Sequence, residues 1–163
     1  MAFIPFVSFI ILLRIAELIV AKRNEKWLLQ NGAVEYGQEH YPFIVALHVL
    51  FLVSLIVEYY VLQPVSFSLP LIVLYFLLLV FKVWIIGSLG KFWNTKIYHI
   101  SSFPLVKRGP YKWVKHPNYI IVIAEIAVIP LAFHLYYTAI VFSVLNAVML
   151  YIRIRAENKA LKI

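Results

Sequence analysis

The chain has 163 residues, of which 64% are hydrophobic and only 13% charged, with a mean hydropathy of +0.90. A water-soluble domain is about 45–50% apolar and about 25% charged, so this chain has too little polar surface to cover itself in water. Disordered, collagen-like and disulfide-stapled classes are excluded, and with no cysteine there is no thiolate metal site or thiol nucleophile. The net charge of +8, in so apolar a chain, marks membrane topology and anionic headgroups rather than nucleic acid. The expectation is a single all-α, polytopic membrane domain over residues 1–163. Residues 1–86 form its three-helix scaffold, and 87–163 hold a polar loop, a helical hairpin and a tail.

About 20 residues cross the hydrocarbon of a bilayer. Phe3 to Ala21, Phe43 to Leu62 and Ser68 to Ile86 are the first three apolar runs. The last run, Tyr119 to Tyr151, is 33 residues, or roughly 50 Å as one helix at 1.5 Å per residue. That is too long for one crossing. Pro130, His134 and Tyr136-Tyr137 near its middle predict a turn, giving two short antiparallel helices and five spans in all.

Charge orients these spans. Segments 22–42, 87–118 and the tail carry 13 of the 15 lysines and arginines, and connections 63–67 and 133–137 carry none. Five spans put all three loaded segments on one side, which the positive-inside rule assigns to the cytoplasm, with the N-terminus outside. The first span lacks the positive start and small-residue cleavage site of a signal peptide.

Charges within the spans invite local partners. Arg14 and Glu17 are spaced i,i+3 and are expected to pair. Lys82 is expected to snorkel to the nearby interface, and Glu58 to behave similarly on the outer side. Glu125 lies at the depth of Asn146 on the partner helix, which suggests a hydrogen bond across the hairpin or a role toward substrate.

Residues 87–118 hold six basic residues, no acid and interleaved aromatics. Such a segment suits a lipid headgroup, a nucleotide-like cofactor, or simple anchoring at the interface. Gly109-Pro110 signals a turn. Pro117 is tolerated in the first turn of a helix, which sets Lys115 and His116 at its positive end, a ready place for a carboxylate. On the last helix Asn146, Arg153 and Glu157 share one face. Arg153 and Glu157 read either as a surface i,i+4 pair or as two groups projecting under the hairpin toward His116. The five histidines show no metal-ligand spacing, so no metal site is expected.

The run Pro104-Leu105-Val106-Lys107-Arg108-Gly109-Pro110-Tyr111 through His116-Pro117-Asn118-Tyr119, then an apolar hairpin and Arg153-Ile154-Arg155-Ala156-Glu157-Asn158, resembles the isoprenylcysteine carboxyl methyltransferase family over about 70 residues, 91–161. That family's pattern is a Gly-x-Tyr turn, Arg-His-Pro-x-Tyr and Arg-x-x-x-Glu-Glu. Here Lys115 replaces the arginine, which loses the planar fork, and Asn158 replaces the second glutamate.

The resemblance implies an integral membrane enzyme using S-adenosyl-L-methionine. Phe103, Pro104, Leu105 and Val106 would lie along the cofactor. Tyr111, His116, Pro117, Asn118 and Tyr119 would form its turn, Glu157 would hold its polar part, and Arg153 would face the methyl acceptor. Methyl transfer from a sulfonium needs positioning and a dry site more than acid–base machinery or metal. The short chain is similar to the compact prokaryotic branch of a bacterial plasma membrane, where acceptors include long-chain polyketide pyrones or phenols rather than prenylated cysteine. An acidic, amphipathic acceptor entering from the bilayer is therefore expected, with membrane lipids as surroundings and no nucleic acid. Three alternatives remain: phospholipid N-methylation, a nicotinamide-dependent lipid reductase, and a non-catalytic membrane subunit.

Overall fold

In the computed structural model, which describes residues 2–161, five helices and one small ribbon follow in chain order. Helix α1 spans Phe3–Gln30, α2 Tyr41–Leu62, α3 Leu69–Leu89, α4 Pro117–Leu131 and α5 Tyr136–Leu161. Four of these, α1, α2, α3 and α5, are long and apolar enough to cross a membrane. Helix α4, with 15 residues, is about 22 Å long at 1.5 Å per residue and falls short of that length. Exposed apolar side chains run along the four long helices, among them Leu12, Ile19, Val61, Val80, Ile140 and Val144. Helices apolar all round belong in lipid rather than water.

Strands β1 (Val34–Tyr36) and β2 (Ile97–His99) pair antiparallel, with Glu35 opposite Tyr98. An all-α expectation missed this ribbon because three-residue strands carry no readable alternation.

The helices alternate in direction. Phe3 at the start of α1 stacks on Tyr59 near the end of α2, with ring centroids 3.7 Å apart. The N–H of Ser68, before α3, donates to the carbonyl of Ala132, just after α4. Residues 132–135 make the turn of the hairpin, where Leu135 N–H returns to the Pro130 carbonyl and His134 adopts φ +58°. The apolar core sits toward this end, around Phe6, Ile10, Leu55, Ile129 and Phe133. The opposite end gathers the end of α1, the ribbon, the loop after α3, the start of α4 and the end of α5.

The intramembrane charges differ from the sequence expectation in their partners. Arg14 Nη1 does donate to Glu17 Oε2 at 2.7 Å, and its other Nη reaches Glu125 at 2.8 Å. Lys82 does not snorkel. It is 3% exposed, with Nζ at 2.9–3.0 Å from both oxygens of Glu125 and 2.9 Å from Glu17. A buried ammonium needs a counter-charge, and here two carboxylates supply it. Glu125 consequently faces Arg14 and Lys82 rather than Asn146. Glu58 is also buried: its carboxylate accepts the N–H groups of Tyr137 and Thr138 at 3.0 and 2.7 Å. These are donors that the first turn of α5 leaves unpaired.

Candidate active site

Three segments build the polar end. The first is a strap after α3. Asn24, buried on α1, donates to the carbonyls of Gly90 and Trp93 at 3.1 and 2.7 Å, and Asn94 donates back to the Ala21 carbonyl at 2.8 Å. These side-chain amides satisfy the backbone where α3 ends, so the strap runs firmly along α1. Lys96 then pairs with Glu25 at 2.8 Å, and Tyr98 donates to Glu25 at 2.6 Å and to Glu35 at 3.1 Å. Hydrogen bonding to Glu25 holds the Lys96 ammonium above its ordinary range. Burial, then its two carboxylate partners, push the Tyr98 phenol up.

The second segment is the Gly109–Lys112 turn. Gly109 has φ +53°, and a Cβ there would run into Ser88 Oγ. Only glycine lets the turn seat on α3 this closely. The turn sets Tyr111 against the cavity, where burial and then the charge of Glu157 raise its phenol pKa, so it stays protonated.

The third segment is the mouth of the hairpin. His116 stacks on Tyr119 with ring centroids 5.3 Å apart, and its Nε2 donates to Asn158 Oδ1 at 2.8 Å. His116 Nδ1 lies 3.6 Å from Glu157. The Tyr119 hydroxyl donates to Glu157 and accepts from Arg153 Nε at 2.9 Å. A guanidinium Nη of Arg153 also donates to the Thr95 carbonyl of the strap. The antiparallel hairpin is what brings residues 119 and 153 together.

Two adjoining cavities open here. The larger, about 470 Å³, runs along Phe103, Pro104, Leu105 and Val106 to Tyr111 and Glu157. The smaller, about 90 Å³, is bounded by Trp93, Asn94, Lys96, His116, Tyr119 and Arg153. Tyr111, Lys115 and Glu157 line both. Among the residues named from sequence, Asn118 also lines the smaller cavity, and Pro117 is buried as the first residue of α4. Sequence reasoning placed Trp93 and Lys96 only within the basic, aromatic segment 87–118, without individual roles, and did not single out Asn24, Asn94 or Thr95. The signal for Asn94 and Thr95 was a short polar run immediately after an apolar one.

Four helices long and apolar enough to cross a membrane, with two adjoining cavities at one end of the bundle, mark an integral membrane protein. Residues 71–163 match the Isoprenylcysteine carboxyl methyltransferase (ICMT) family, and the chain belongs to that family. Membership indicates a membrane methyltransferase. The chain is 46% identical to the uncharacterized protein YpbQ of Bacillus subtilis strain 168, over 96% of this chain and 94% of that one. It is 29% identical to an uncharacterized protein of Haemophilus influenzae, over 93% and 90% of the two chains. No solved structure matches it.

Proposed function

We propose that the protein is an S-adenosyl-L-methionine-dependent O-methyltransferase for an amphipathic acceptor bearing a carboxylate or acidic hydroxyl. The observation that carries this reading is the Arg153–Tyr119–Glu157 group, which lines the smaller cavity and, through Glu157, also borders the larger one. The larger cavity has the volume of a small-molecule site, about 300–1,000 Å³ in general, and suits an adenosine. Its wall is apolar at Phe103–Val106, and a carboxylate and a phenol stand at the other end. When bound, the cofactor supplies an electrophilic methyl group on a sulfonium.

The chain's own residues do the rest. Phe103, Pro104, Leu105 and Val106 hold an apolar ring system. Glu157 and Tyr111 take the polar end, with Glu157 held in place by the Tyr119 hydroxyl. His116, Pro117 and Asn118 shape the turn beneath it. Arg153, clamped by Tyr119 and Thr95, presents its remaining N–H groups to an anionic acceptor. Such donors bind and orient the acceptor, and orientation within a dry site supplies the rate.

The proposed topology has five spans, with α4 crossing only as half of the hairpin. The basic residues of the loop and tail then gather at the site end, which the positive-inside rule assigns to the cytoplasm. The test is to incubate membranes containing the protein with methyl-labelled S-adenosylmethionine and a bacterial lipid extract. Label is expected in a neutral lipid fraction, as the methyl ester or ether of an acidic lipid in the extract, with S-adenosylhomocysteine binding unaffected by a chelator. Retention of a reduced nicotinamide nucleotide, or of neither ligand, would overturn the reading.

A further inference from the structure

Of the six cations in residues 87–118, two are engaged within the protein. Lys96 pairs with Glu25 at 2.8 Å, and Lys91 stands over the Trp27 ring at 5.3 Å. The other four, Lys107, Arg108, Lys112 and Lys115, are exposed and enter no ion pair among the described residues. Lys107 and Lys115 line the cavities, whereas Arg108 and Lys112 line neither. These two flank the Gly109–Lys112 turn without belonging to the candidate active site, and no acidic residue occurs anywhere in 87–118.

Tertiary contacts fix the depth of this turn. Gly109 seats against Ser88 and Trp84 of α3, and the Trp113 ring meets the Trp84 ring edge to face, with centroids 6.5 Å apart. Trp84 comes before the last turn of α3, which ends at Leu89, about 7.5 Å back along the axis at 1.5 Å per residue. The Phe81 ring follows on the same helix, its centroid 6.1 Å from that of Trp84. All three rings are exposed, Trp113 to 74%, beside a helix apolar enough to cross a membrane. The turn therefore lies against the flank of α3, where its indole continues the lipid-facing aromatic row and its two cations stand next to it.

We propose that Arg108, Lys112 and Trp113 form a binding site for an anionic phospholipid headgroup of the surrounding bilayer. The guanidinium meets the phosphate as a planar fork and the ammonium as a point charge. The indole, apolar in its ring and polar at its N–H, enters the boundary between headgroups and acyl chains. Charge complementarity selects this occupant: each such cation near an anionic membrane surface favours association by roughly fivefold, and no carboxylate of the segment competes for it. A zwitterionic headgroup carries its own cation and gains much less.

The experiment uses the whole chain in lipid nanodiscs, with Trp113 as the reporter. Its emission is the difference between the unaltered protein and Trp113→Phe, a change at an exposed ring. Phosphatidylcholine brominated near the carbonyl end of its chains is expected to quench that emission, and aqueous acrylamide to quench it little. Brominated phosphatidylglycerol, diluted into plain phosphatidylcholine, should quench it at about tenfold lower mole fraction than brominated phosphatidylcholine does. Arg108→Gln/Lys112→Gln should abolish this preference while quenching by brominated phosphatidylcholine persists, and high salt should shrink it. Equal quenching by the two headgroups in the unaltered protein, or a preference that survives the double substitution, overturns the proposal. So does a Trp113 emission open to acrylamide and untouched by brominated lipid. Loss of the preference on adding millimolar inorganic phosphate would assign the two cations to a free anion and overturn the lipid assignment. No nucleoside enters the measurement, so its outcome is independent of the methyl-transfer reading.

Discussion

Arg153 and Glu157 stand one turn apart on α5, yet both turn to the same hydroxyl, that of Tyr119 on α4. Arg153 donates to it at 2.9 Å, and Glu157 accepts from it. The spacing allows a direct i,i+4 ion pair, which on an exposed helix contributes about 0.3–0.5 kcal/mol. The phenol replaces that pair with a relay through the mouth of the hairpin. Each charged group is thereby fixed separately, one toward the strap and the other toward His116.

Separate fixing predicts separable roles. Glu157→Gln is expected to weaken S-adenosylhomocysteine binding by about 1.5–3 kcal/mol, or roughly ten- to hundredfold. Arg153→Ala should leave that affinity nearly intact and depress methyl transfer. Arg153→Lys should rescue little, because an ammonium lacks the planar fork that meets Tyr119 and Thr95 together. Calorimetry and label transfer on the three variants check this. Equal, small effects would reduce the pair to a tie within the helix.

His116→Ala removes the stack on Tyr119 and the hydrogen bond to Asn158. The expected stability loss is modest, about 0.5–1.5 kcal/mol for one hydrogen bond, since the ring is only partly buried. Cofactor affinity should fall further than stability does. Comparing thermal unfolding with nucleoside binding in the same detergent separates the two effects.

The charge quartet predicts non-additivity. Glu125→Leu leaves Lys82 buried with only Glu17, and breaking such a pair costs about 3–5 kcal/mol. In Lys82→Leu/Glu125→Leu, Arg14 and Glu17 remain as a neutral pair. The double variant should therefore unfold at a higher temperature than Glu125→Leu alone. A double variant less stable than either single would show that the four charges contribute independently.

Gly109→Ala tests the seat of the turn. The added Cβ meets Ser88 Oγ, and the backbone is in a left-handed region that costs a side-chain-bearing residue about 1–3 kcal/mol. The turn should lift from α3 and carry Tyr111 with it, lowering S-adenosylhomocysteine affinity. Unchanged affinity alongside reduced stability would mean that Tyr111 does not line the bound cofactor.

Much of the architecture was legible in the chain itself. In lipid the hydropathy of a run is nearly the whole condition for spanning, so α1, α2 and α3 could be read from length and composition. The hairpin was legible too, because a 33-residue apolar run with Pro130 and His134 at its centre has to turn. His116, Tyr119, Arg153 and Glu157 could be named together, since the turn folds the two ends of that run back on each other. Partner choice was a different matter. Lys82 and Glu125 are 43 residues apart, and Arg14 and Glu125 are 111 apart. No local period relates such distances, and the expected partners, interface water for Lys82 and Asn146 for Glu125, lost to opposite charges brought nearer by helix packing. The strap was likewise invisible, since Asn24 reaches Trp93 only after α1 and α3 have been placed. Hydrophobicity acts residue by residue and can be summed along a sequence, whereas a buried charge or amide is satisfied only by whatever group the tertiary fold sets within 3 Å of it.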